Sequence, residues 1–162
     1  MRKHKINKSS DSNSMEVPGA FAKAKTVLEE EYGRRMQEAL RRYGQVASLV
    51  DREVMGWHAL DSEQQRDMDT VIETLNALST TAGAGGVATE AAFVLGVLYQ
   101  EGRGMPGPKC ARAAECYQLA AEAGRTEALY NLACMTRTGF VVMNNSLILF
   151  RMSYSIVPVV HF

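Results

Sequence analysis

Cysteine is scarce in this chain. There are three, an odd number, and no secretory leader pattern opens the sequence, which excludes a small fold stapled by disulfides. Cys110, Cys116 and Cys134 are therefore expected as reduced thiols, in a cytoplasmic or nuclear protein. An excess of one charge is missing too: 18 basic residues balance 18 acidic ones, so no net field selects nucleic acid or an anionic surface. The three histidines, His4, His58 and His161, lie in three separate segments, and no metal-ligand spacing joins them to a cysteine. No stretch reaches the roughly 18 uncharged apolar residues a membrane helix needs. No activated serine or cysteine is evident, and the glycine-rich AGAGG has neither a preceding strand nor a following Lys-Ser/Thr, which excludes a phosphate-cradling loop. No catalytic, cofactor-binding or metal-binding residue is assigned.

What remains is helix-forming material, in a chain of 162 residues and 17.8 kDa that is long enough for one buried core. Residues 1–16 carry Arg2, Lys3, Lys5 and Lys8, followed by a serine- and asparagine-rich run without apolar periodicity. They are read as a disordered tail rather than a nucleic-acid contact. Pro18 suits the first turn of a helix, and the run to Leu60 has no other proline. Within it Met36, Leu40, Tyr43, Ala47, Val50, Val54 and Trp57 alternate spacings of four and three, a coiled-coil-like seam. Phe21, Leu28 and Tyr32 do not extend that register, so Gly33 is expected to bend or break the helix. Gly44 is a second weak point.

Asp61 reads as the N-cap of the next helix, with Gln64 completing a capping box. Met68, Val71, Ile72, Leu75 and Leu78 make its seam, ending near Ser79. Residues 17–80 then form a helical hairpin that buries its own stripe. The alternative is that Met36, Leu40, Tyr43, Val50, Val54 and Trp57 serve self-association or a partner helix. Residues 81–89 read as a flexible glycine-rich linker.

The stretch TEAAFVLGVLYQEGRGMPGPKCARAAECYQLAAEAG, residues 89–124, holds the most specific pattern. Thr89 is expected to cap a helix running from about Glu90 to Glu101, with Glu90 at the positive end of the helix dipole. Ala91, Ala92, Leu95, Gly96 and Tyr99 share one face, while Phe93, Val94, Val97 and Leu98 make the others apolar, the mark of a helix buried on more than one side. Gly102 and Gly104 suit a left-handed cap and reversal. A second helix from about Pro108 lines up Cys110, Ala113, Ala114, Tyr117, Ala120 and Ala121, and Gly124 closes it. Small residues on facing surfaces let two such backbones nest. Cys110 and Cys116, six apart, point to different sides.

The pattern recurs after 37 residues: Ala91, Phe93, Leu95, Gly96, Leu98 and Gly102 meet Ala128, Tyr130, Leu132, Ala133, Met135 and Gly139. These residues resemble the Sel-1-like repeat, a relative of the tetratricopeptide repeat. That family's units carry an Ala, a Leu-Gly pair, a Tyr and a Gly-x-Gly-Val turn, then Lys, Ala, Tyr, a double Ala and Gly. Ala91, Leu95, Gly96, Tyr99, Gly102, Gly104, Lys109, Ala113, Tyr117, Ala120, Ala121, Gly124 and Ala128 match, with Met105 in place of the valine. The resemblance covers residues 90–139, one repeat and half of a second. It implies an all-α fold, a helical-hairpin repeat or α-solenoid fragment behind the coiled-coil-like hairpin, and a non-enzymatic scaffold that binds another protein. It also brings a rival, since a few members have been linked to peptide or β-lactam-like ligands, a hydrolase reading.

After Gly139 the repeat fails, with Val141, Phe150 and Pro158 where Gly104, Ala113 and Ala121 would recur. Residues 140–162 are a hydrophobic tail with Arg151 as its one formal charge. They are read as an aberrant or truncated end, and otherwise as an anchor for a peripheral membrane protein. Too few units are present to bury their own faces, so something must cover the ends.

Overall fold

The computed structural model describes residues 17–53 and 56–138, with side chains from Lys23 onward except those of 52–55. Among these residues every regular element is helical: α1 (Val17–Glu53), α2 (Ser62–Ser79), α3 (Gly85–Glu101), α4 (Cys110–Glu122) and α5 (Thr126–Arg137). Each helix packs against the next, and α1 also touches α3. The all-α hairpin architecture expected from periodicity is present. Both tails, and Val54 with them, lie outside the described residues.

The α1–α2 hairpin is set by a cap and a seam. The Asp61 carboxylate accepts from the backbone N–H groups of Glu63 and Gln64, both at 2.8 Å, while the Gln64 side chain accepts from the Asp61 N–H at 3.0 Å. This capping box satisfies donors that the first turn would otherwise leave open. Met68, Val71, Leu75 and Leu78 are fully buried along α2, with Ile72 half-buried beside them. On α1 the buried residues are Met36, Ala39, Val46 and Val50.

Two features of α1 differ from the sequence reading. First, Gly33 neither bends nor breaks it, since the helix continues through both Gly33 and Gly44. Glycine costs about 1 kcal/mol relative to alanine, and packing of Tyr32 and Met36 into the core around it offsets that cost. Second, the inward stripe contains Ala39 and Val46 in place of Leu40 and Ala47. Leu40 remains 38% exposed and Ala47 half-buried. Both series alternate threes and fours, so spacing alone does not separate them. The small Ala39 faces inward where α1 meets both α2 and α3.

α3 is the central helix. Ala91, Leu95 and Leu98 join the core shared with α1 and α2, whereas Ala92, Phe93 and Val97 join the core shared with α4 and α5. Burial on two sides explains why nearly every face of α3 is apolar. It begins at Gly85, not near Glu90. Thr89 is therefore no cap but an interior residue whose hydroxyl donates to the Gly85 carbonyl at 3.4 Å, and Ala84 stands at the N-cap position. Residues 85–89, expected within a flexible linker, form the first turn of α3. Ala84 is buried and Val87 packs against the α1–α2 core, and this tertiary contact overrides the low helix propensity of Gly85 and Gly86.

Candidate interaction surface

The small residues act as the sequence suggests: they set how closely α3, α4 and α5 approach. A Cβ on Gly96 would lie 2.6 Å from the Tyr117 ring, so the tyrosine fills the space glycine leaves. Tyr117 is 1% exposed, and its hydroxyl donates to the Gln100 side-chain oxygen at 2.7 Å. Burial pushes its phenol up to about 12. Around it Ala113, Ala120, Ala121, Ala128 and Leu132 are fully or almost fully buried. Tyr99 is half-buried between the two cores.

The glycine turn locks this unit onto the hairpin. Gly102 ends α3 in the left-handed region at φ 68°, and Gly104 follows at φ 72°. A Cβ at Gly104 would sit 2.8 Å from the Met68 Cβ, and the Gln65 amide donates to the Gly104 carbonyl at 3.0 Å. Gly124, φ 101°, makes the turn from α4 to α5. The second helix starts at Cys110, two residues past Pro108.

The 37-residue offset is visible as matched burial. Ala91 and Ala128, Leu95 and Leu132, and Leu98 and Met135 are all buried to 3% or less. Their outward neighbours diverge. The Phe93 ring centroid lies 5.8 Å from that of Tyr117, with the planes tilted by 48°, and 4.0 Å beneath the Arg125 guanidinium, itself paired with Glu90. Its counterpart Tyr130 is 63% exposed. Beside α5 runs an apolar groove of about 320 Å³, lined by Gln100, Pro108, Cys110, Cys134, Met135 and Thr138.

The sequence-predicted seam is mostly turned inward. Met36 and Val50 are buried against α2, Leu40 is exposed, and Val54 lies outside the described residues. Tyr43 and Trp57 stack at 6.0 Å with planes 8° apart. Arg103, the residue between Gly102 and Gly104, lies within 5.8 Å of both ring centroids; it donates to the Tyr43 hydroxyl and pairs with Glu101. Sequence reasoning missed this clamp and the Glu90–Arg125 pair. Both join residues dozens of positions apart, with no periodic signal to link them.

The three cysteines are free thiols. Cys116 is buried in the α1–α3 core and Cys110, at the start of α4, packs against the α3–α5 core, on different sides as their spacing implies. Burial pushes the Cys116 thiol up to about 11. Among the described residues no group of three metal-ligating side chains lies together, and no helix is long and apolar enough to cross a membrane. No protein-family model matches this chain, and no curated protein or solved structure matches it either.

Proposed function

We propose that this chain is a non-enzymatic adaptor that binds another protein, through the outer face of α5, in the manner of a Sel-1-like helical repeat. The observation that carries this reading is the contrast between Phe93 and Tyr130. At one position of the 37-residue offset an aromatic side chain is half-buried against the next helix; at the equivalent position it is 63% exposed, on the helix that supplies Cys134 and Met135 to an apolar groove. Phe93 packs against Tyr117 of α4, a helix with a stripe of alanines around that tyrosine, and beneath the Arg125 guanidinium. The occupant of the α5 face is accordingly an amphipathic helix of the partner, with small residues and an aromatic anchor, docked as a helix in a groove. The cytoplasm or nucleus suits a protein with free thiols.

The test is quantitative affinity capture with the full chain and with Tyr130→Asp, a change at an exposed position that leaves the core intact. Proteins captured by the native chain and lost with the variant support the reading. An unchanged set of captured proteins, or turnover of a small-molecule substrate by the purified chain, contradicts it.

A further inference from the structure

At about 1.5 Å per residue, α1 is about 55 Å long and α2 about 27 Å. The hairpin contact begins at Tyr32 and Met36, so the N-terminal part of α1 extends past the end of its partner helix. Every residue from Lys23 to Glu31 is exposed, including Val27 at 59% and Leu28 at 51%. A helical segment this exposed is marginal in water, because helices draw most of their stability from packing.

The charges on this segment are ordered: Lys23 and Lys25 precede Val27, and Glu29, Glu30 and Glu31 follow it. Within a single helix this order is the poorer one, since glutamate N-terminal to lysine gives the better four-residue pair. The Lys25–Glu29 contact is 3.8 Å between exposed side chains, and no ion pair joins Lys23 or Glu30 to another described residue. Between two antiparallel copies crossing near Val27 the same order is complementary. By helical spacing Ala24, Val27 and Leu28 share one arc, which Glu31 ends on its C-terminal side, with Lys23 and Glu30 along one flank and Lys25 and Glu29 along the other. In an antiparallel pair each flank meets its own equivalent, which sets Lys23 opposite Glu30 of the second copy and Lys25 opposite Glu29. A parallel pair would set lysine beside lysine and glutamate beside glutamate.

We propose that residues 23–31 of α1 form a self-association surface that takes the same segment of a second copy in antiparallel orientation, with Ala24, Val27 and Leu28 at its centre. The contact is isologous, so it closes as a dimer. It places the two globular bodies at opposite ends of the paired helices, and it uses none of the α5 face.

Sedimentation equilibrium of the full chain tests this. The native chain forms a dimer that weakens with added salt. Lys23→Glu with Lys25→Glu, or Glu29→Lys with Glu30→Lys, weakens it by about tenfold or more, and an equimolar mixture of the two variants restores it. All four positions are exposed, and an unchanged helical circular dichroism signal confirms that the body stays folded. A chain that is monomeric throughout overturns the proposal, as does a dimer indifferent to both reversals. A dimer lost instead with Tyr130→Asp also overturns it, and would assign self-association to the α5 face.

Discussion

The α1–α2 hairpin and the α3–α5 array are both helical, but they are held together by different means. The hairpin is filled by flexible or branched side chains, Met36, Met68, Val71, Leu75 and Leu78, interleaved at spacings of three and four. The α3–α4 contact in the array is assembled from Ala92, Ala113, Ala114, Ala120 and Ala121 around the fully buried ring of Tyr117, with Leu129, Leu132 and Met135 closing the core from α5. In the first region the total volume matters; in the second, each position has its own steric limit. Cores of the first kind tolerate swaps that conserve volume, whereas a nested array cannot accept one added methyl.

The largest expected effect is in the array. Tyr117→Ala empties its centre and should cost about 3–5 kcal/mol, read as a fall in the urea midpoint. Next, Gly96→Ala forces a methyl against the Tyr117 ring and should cost about 1–3 kcal/mol, while the volume-conserving Leu75→Met in the hairpin should cost under about 1.5 kcal/mol. Equal or reversed costs in the same denaturation series would erase the distinction between the regions. Asp61→Ala removes the α2 capping box and should cost about 1 kcal/mol, with the loss confined to the hairpin by hydrogen exchange.

The smallest effects come from titration. Hydrogen bonds from Arg41 and Arg42 hold the Glu38 carboxyl down at about 2, from an ordinary 4.5. Stability from this lowered carboxylate is present above the ordinary value and declines as pH falls from 4.5 toward 2. Glu38→Gln should flatten the acid limb of the stability profile there, by little, because water reaches the pair and screens it. Tyr117 works in the opposite sense. With its phenol raised to about 12, the folded chain holds a proton that the unfolded chain gives up above about 10, so stability declines with rising pH between these values and Tyr117→Phe removes that decline.

The two regions also differed in how much of them could be read from the sequence. Local chemistry read well. Asp61 and Gln64 form the expected box, α2 ends at Ser79, and Gly102 and Gly104 adopt the left-handed backbone their positions imply. The stripe through Ala113, Tyr117, Ala120 and Ala121 is buried as its spacing predicts. Failures arose where distant contacts decide the outcome. Gly85 and Gly86 have the composition of a linker, yet Ala84 and Val87 are held by the core, and the helix starts there. Ala39 rather than Leu40 faces inward because α3 also packs on α1. Arg103 looks like turn filler between two glycines until Tyr43 and Trp57 are seen beneath it. The burial of Ala128, Leu132 and Met135 on α5 was legible from the 37-residue offset, and the exposed segment at residues 23–31 of α1 was not, because its apolar residues fall outside the longer seam.

The fit of the Tyr117 ring over Gly96 carries the most weight in this account, and a double-mutant cycle between Gly96→Ala and Tyr117→Leu measures it. If the added methyl is costly because it strikes the ring, Gly96→Ala should be markedly cheaper in the Tyr117→Leu background, with a coupling of about 0.5–3 kcal/mol. Two substitutions whose costs simply add would show that α3 and α4 do not nest through this pair.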